Sequence, residues 1–172
     1  LPGEVREPDR TWLALAACML TSAPPPASTQ GAPAARPVDA RVEAALKESK
    51  LAFGMDGGDF RLKYDLDEGR SQLVWVASGT RKLDQLEIRD VWSVAYRSKG
   101  EVPADMAIHL LKENARMILG AWQVNQGQDE YLIVSSAAAN AAADASTLAE
   151  VIEVVTLSAD RIEKELTGKD EY

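Results

Sequence analysis

Apolar and polar positions change their period several times along this chain, and each change predicts an element. Phe60, Leu62, Tyr64 and Leu66 alternate with Arg61, Lys63 and Asp65. Period two predicts a strand with one buried face. In the next run, over residues 71–78, Leu73, Trp75 and Ala77 alternate with Gln72, Val74 and Val76. It is apolar on both sides, which predicts a central strand. Residues 86–98 read as a third, longer strand with Leu86, Ile88, Trp92, Val94 and Tyr96 on one face. Asp90 interrupts that face and predicts a bulge or bend. Segments 117–125 and 130–136, joined by a turn around Gln126-Gly127-Gln128, complete five strands.

Three segments carry the helical period instead. Val38, Val42, Ala45, Leu46 and Ser49 form a stripe within 38–50. Gly100 and Pro103 close the third strand and open a helix striped by Met106, Ala107, Leu110, Leu111 and Asn114. The longest helix runs over 146–167, with Leu148, Val151, Ile152, Val155, Ala159, Ile162 and Leu166 on one face and Gly168 as its stop. The small residues of 137–145 read as a connection, either a plain loop or a hinge. The order α-β-β-β-α-β-β-α predicts an α+β two-layer sandwich. Its sheet is five-stranded and mostly antiparallel, with helices over one face.

The periodic part begins near residue 38, and the composition changes there too. Seven of the eight prolines lie in residues 1–37, whereas the charges of residues 1–36 cancel, so the net charge of −8 belongs to the remainder. An acidic domain without clustered Lys and Arg is a poor partner for nucleic acid. Cys18 is the single cysteine, so no intrachain disulfide can form. No apolar run of about 18 residues follows residue 37, so the domain itself is not expected to cross a bilayer.

The head reads as an address. Residues 1–23 are signal-like: Arg10 precedes the apolar run WLALAACML at 12–20, which is of h-region length. Residues 24–37 form a Pro/Ala-rich linker, and 38–172 form the domain. Leu15-Ala16-Ala17-Cys18 resembles a lipobox, which would make Cys18 the lipidation site and anchor the chain to a membrane. Two alternatives stand beside it: a cut after Ala23, releasing a soluble exported protein, and an uncut head on a cytoplasmic one.

Candidate chemistry is sparse. In DLDEG, Asp65 and Asp67 fall at the first two ligand positions of a calcium loop. Gly69 takes the third, and Ala77 stands where the bidentate glutamate belongs. The motif is therefore read as the turn between two strands, where acids are tolerated and glycine supplies a positive φ. His109 is the only histidine and has no evident partner for a metal or nucleophilic site. No Gly-rich phosphate loop and no HExxH occurs. Trp75, Trp92 and Trp122 sit on three predicted strands, where they either pack in the core or line a peptide groove. They are the candidate peptide-binding residues. No cofactor and no catalytic residue is assigned.

Taken together, GDFRLKYDLDEGRSQLVWV at 58–76, LEIRDVWSVAYRS at 86–98 and the closing LTGKDEY resemble the YbjN family. The resemblance covers roughly residues 38–172. It implies the fold of type III secretion chaperones and a non-enzymatic binding domain with a protein or peptide partner, possible as a homodimer. Combined with the head, it leads to the expectation of a protein-binding domain of the bacterial envelope. The alternative is a cytoplasmic dimeric chaperone-like protein or sensory transduction regulator.

Overall fold

The computed structural model describes residues 37–127 and 129–172. Cys18, the signal-like segment and most of the linker lie outside these residues. The chain forms helix α1 (Ala40–Glu48), strands β1 (Gly54–Asp56), β2 (Asp59–Asp65), β3 (Ser71–Val76), β4 (Arg81–Leu83) and β5 (Leu86–Ser98), then helix α2 (Ala104–Asn114), strands β6 (Ala121–Gln126) and β7 (Tyr131–Asn140), and helix α3 (Ala145–Thr167). The expected α+β class is observed. The sheet, however, has seven strands rather than five, in the order β1-β2-β3-β5-β7-β6, with β4 on β5. Every pairing is antiparallel.

The two additional strands, β1 and β4, are three residues each, and all of these residues are exposed. Such short arms carry no periodicity to read. Each exists because a turn folds it back on a stronger neighbour, at Gly57-Gly58 and at Asp84-Gln85. β5 is the organising strand. One of its edges is shared between β4, at residues 86–88, and β3, at residues 91–93, while β7 runs along the other edge.

Side chains in register point to the same face of an antiparallel sheet. One face carries Phe60, Leu62, Val74, Val76, Val91, Ala137 and Ala139, all buried against Val42 and Leu46 of α1 and Leu148, Ile152 and Val155 of α3. A second cluster on the same side joins Ala95, Trp122 and Ile133 to Leu110 of α2 and to Ala159 and Ile162 of α3. All three helices therefore share one layer. Between the two clusters lie the buried polar residues Gln72, Ser93, Ser135 and Thr156. Gln72 Nε2 donates to Ser93 Oγ at 2.9 Å and to the Val94 carbonyl at 2.6 Å.

Several expectations are corrected. Ala137–Asn140 belongs to β7 and is not a connection, because alanine is small enough for α3 to pack closely over the strand. Asp90 sits in register with Ala138 and pairs with Arg81, and the irregularity falls between Val94 and Tyr96. Residues 117–120 form a loop, and β6 starts at Ala121. Leu111, on the apolar stripe of α2, is exposed, whereas Leu110 is 3% exposed. Val38 is also exposed, because α1 starts only at Ala40, with Asp39 as its N-cap.

Candidate functional site: the uncovered face of the sheet

The face opposite the helices carries Trp75, Trp92, Leu73 and Ser136, with Arg61 and Lys63 on its β2 side. Trp75 and Trp92 are directly opposed across β3 and β5. Their rings lie nearly parallel, at 10°, with centroids 6.2 Å apart. Both are half-buried. Trp75 Nε1 donates to Asp56 Oδ2 at 3.0 Å, which fixes its ring over the sheet. The pair thus presents oriented indole surface on a side that no helix of the described residues covers.

Beside Trp92 the face forms an open hollow of about 360 Å³, bordered by Asp59, Arg81, Asp90, Gln123 and Asn125. β2 and β6 are separated by three strands in the sheet, yet both border this hollow, so this face is concave. Asp59 Oδ1 is engaged by the Ser78 N–H at 2.9 Å, and Asp90 Oδ1 by the Arg81 guanidinium. These acids are therefore rim features with fixed orientations. Aromatic faces beside amides and a hydroxyl suit stacking combined with hydrogen bonds to a polar chain.

Trp122 is not part of this surface. Its register partner is Ser135, which places it on the helix side, and it is 6% exposed within the second cluster. Periodicity located all three tryptophans on strands. It could not tell the covered face from the bare one, because β3, β5 and β6 carry apolar residues on both.

The other sequence candidates lie elsewhere. Asp67–Gly69 forms a single 3₁₀ turn between β2 and β3, with positive φ at Glu68 (61°) and Gly69 (73°), so the expected turn is present. His109 Nε2 lies 3.1 Å from Glu165 Oε1 between α2 and α3. The structure adds one acidic group that the sequence did not reveal: Asp160, Glu163 and Asp170 offer oxygens within 4.8 Å of one another. Its centre is taken by Arg70, which meets Asp160 at 2.6 Å and Glu163 at 3.3 Å and donates to the Lys169 carbonyl at 2.7 Å. Glu163 is fully buried, and burial pushes its carboxyl above the usual range. The Glu171 N–H caps it from the tail. The arrangement is a latch holding the end of α3 to the start of β3. Four charged residues at the start of α1 and on β5, with Thr80 from the loop between β3 and β4, form a second polar group. Asp39 accepts from Arg89 at 2.7 Å and from Arg41 at 2.8 Å, and Arg41 and Thr80 engage Glu87.

The chain matches no family model, and no curated protein matches it.

Proposed function

We propose that the domain is a non-enzymatic, YbjN-like binding module whose bare sheet face receives an extended segment of a protein partner. The observation that carries this reading is the stacked, half-exposed Trp75–Trp92 pair on an uncovered concave face. A buried core explains aromatics on the helix side. It gives no reason for two indoles held parallel on the other side, and large oriented aromatics are the usual anchors of protein recognition. Gln123, Asn125 and Ser136 supply hydrogen-bonding groups for a peptide backbone lying across the strands. With Trp122 in the core, the proposed site is Trp75 and Trp92.

The place of action we propose is the bacterial envelope, with Cys18 as the lipid attachment point. The support is the h-region-like run before Cys18 and the Pro/Ala-rich tether after it.

Two measurements test the two parts. Peptides selected from a displayed random library against the full chain are titrated while tryptophan fluorescence is followed. Trp75→Ala and Trp92→Ala each weaken binding by about tenfold or more if the face is the site. Binding that survives both substitutions at full affinity rules the site out. For the address, the intact mass is measured in membrane and soluble fractions. A membrane-bound chain starting at Cys18 with added lipid mass supports the envelope reading; an uncut soluble chain moves the search to cytoplasmic clients.

A further inference from the structure

A second surface lies at the sheet edge, away from the tryptophans. β6 pairs with β7 only over residues 131–136. The chain leaves that edge at Gly120, where φ is +83° and a Cβ would sit 2.7 Å from the Ser136 carbonyl oxygen. β7 itself continues to Asn140. The Ala141 N–H donates to Glu87, which sets the phase of the ladder so that Ala137 and Ala139 bond towards β5. Ala138 and Asn140 therefore aim their N–H groups outward, where no strand of the described residues meets them.

The outer side of β6, which is the adjoining edge of the sheet, is treated differently. On the outer side of β6, Asn114 accepts the Trp122 N–H at 2.6 Å and donates to the Trp122 carbonyl at 3.3 Å, standing in for a neighbouring strand. Unpaired edges invite pairing with another chain unless they are blocked. At Trp122 a side-chain amide takes the place of a neighbouring strand, and along the β7 extension no strand of the described residues does.

That open stretch lines an apolar groove of about 700 Å³ between the 116–119 loop and α3. Met117, Leu119, Val151 and Val154 line it, and Ile118 at its margin is completely exposed, at 104%. A fully exposed isoleucine beside an apolar groove is a knob next to a hole on one patch. This is the self-complementarity that a two-fold contact requires. The charges agree with it: the lining carries one basic residue, Arg116, on the loop wall and one acidic residue, Glu150, on the α3 wall. On a chain of net charge −8 the groove lining itself is neutral, so it adds no like-charge repulsion between two copies, and Arg116, which also reaches Glu113 at 3.1 Å, is 77% exposed and can turn outward.

We infer that the occupant is a second copy of this chain, joined β7 to β7 in antiparallel fashion about a two-fold axis near Ala139. Ala138 of each copy then pairs with Asn140 of the other. Ile118 enters the opposite groove, and Arg116 faces Glu150 of the second copy. An axis perpendicular to the sheet keeps the two bare faces on the same side, so the dimer displays two Trp75–Trp92 pairs on one continuous surface. The inference does not depend on what those faces bind.

Sedimentation velocity of the full chain across micromolar concentrations tests it, with circular dichroism to verify folding. The wild type is expected to sediment as a dimer. Ile118→Glu, at a fully exposed position that leaves the core intact, shifts it to monomer. Arg116→Glu and Glu150→Arg each raise the dissociation constant by about tenfold or more. An equimolar mixture of those two variants dimerises again, because both reciprocal contacts become attractive. A monomeric wild type overturns the inference, as does a dimer indifferent to Ile118→Glu or a mixture that stays monomeric. A peptide partner seated on the edge gives no rescue on mixing.

Discussion

At the scale of single residues, the three tryptophans have different roles although the sequence offers them alike. Trp122 fills the second core cluster, and its Nε1 has no hydrogen-bond partner among the described residues. Trp122→Ala is expected to cost about 3–5 kcal/mol in urea unfolding through lost packing. Trp92→Ala, at a half-buried position, is expected to cost distinctly less in the same assay. Equal losses would place Trp92 in the core and remove it from the proposed site. Asp39 permits a second test. Hydrogen bonding to Arg41, and then to Arg89, holds its carboxyl well below the usual aspartate range against the cost of partial burial. A depressed folded pKa means stability that is complete above the unfolded value and lost as pH falls below it. The urea midpoint of the wild type should therefore decline from about pH 4 downward. Asp39→Asn should be less stable at neutral pH and show a flatter acid limb. An unchanged acid limb would mean that the pair with Arg89 adds nothing to folding. The partnership with Arg89 was not legible beforehand, since Asp39 and Arg89 lie 50 positions apart.

At the scale of elements, α3 was the most legible part of the fold. Leu148, Val151, Ile152, Val155, Ala159 and Ile162 are all buried, and Gly168 takes the left-handed conformation at the end with φ of 66°. The sequence also signalled the β2–β3 turn. What it concealed was Ala137–Asn140, because four small residues carry no contrast between faces. Two glycines separate the reasons for which a turn needs this residue. A Cβ at Gly168 meets nothing within 4 Å, so Gly168→Ala should cost only the backbone conformation, about 1 kcal/mol. A Cβ at Gly120 collides with backbone of β7 as well. Gly120→Ala should therefore lower the unfolding midpoint more than Gly168→Ala and speed amide exchange in β6. Equal effects would show that the β6–β7 approach relaxes freely.

At the scale of the whole molecule, both core clusters of the described residues are drawn from residues 42–166. A chain beginning at Pro37 is therefore expected to unfold in one cooperative transition, by circular dichroism and fluorescence alike. Two separated transitions, or a loss of cooperativity, would show that the head contributes to the fold. The sequence by itself determined the α+β class of the fold and the turn at Asp67–Gly69, because periodicity and turn chemistry are local. It also located the change in composition and charge near Pro37. Only the tertiary structure decided which side of the sheet the helices cover. That choice sent Trp122 into the core and left Trp75 and Trp92 stacked on the bare face. It also decided that β6 stops short of the end of β7, which opens an edge no pattern announces. The physical reason is common to both. Alternation tells which residues share a face, but the helices that bury one face and the strand that stops short are set by contacts between residues far apart in the chain.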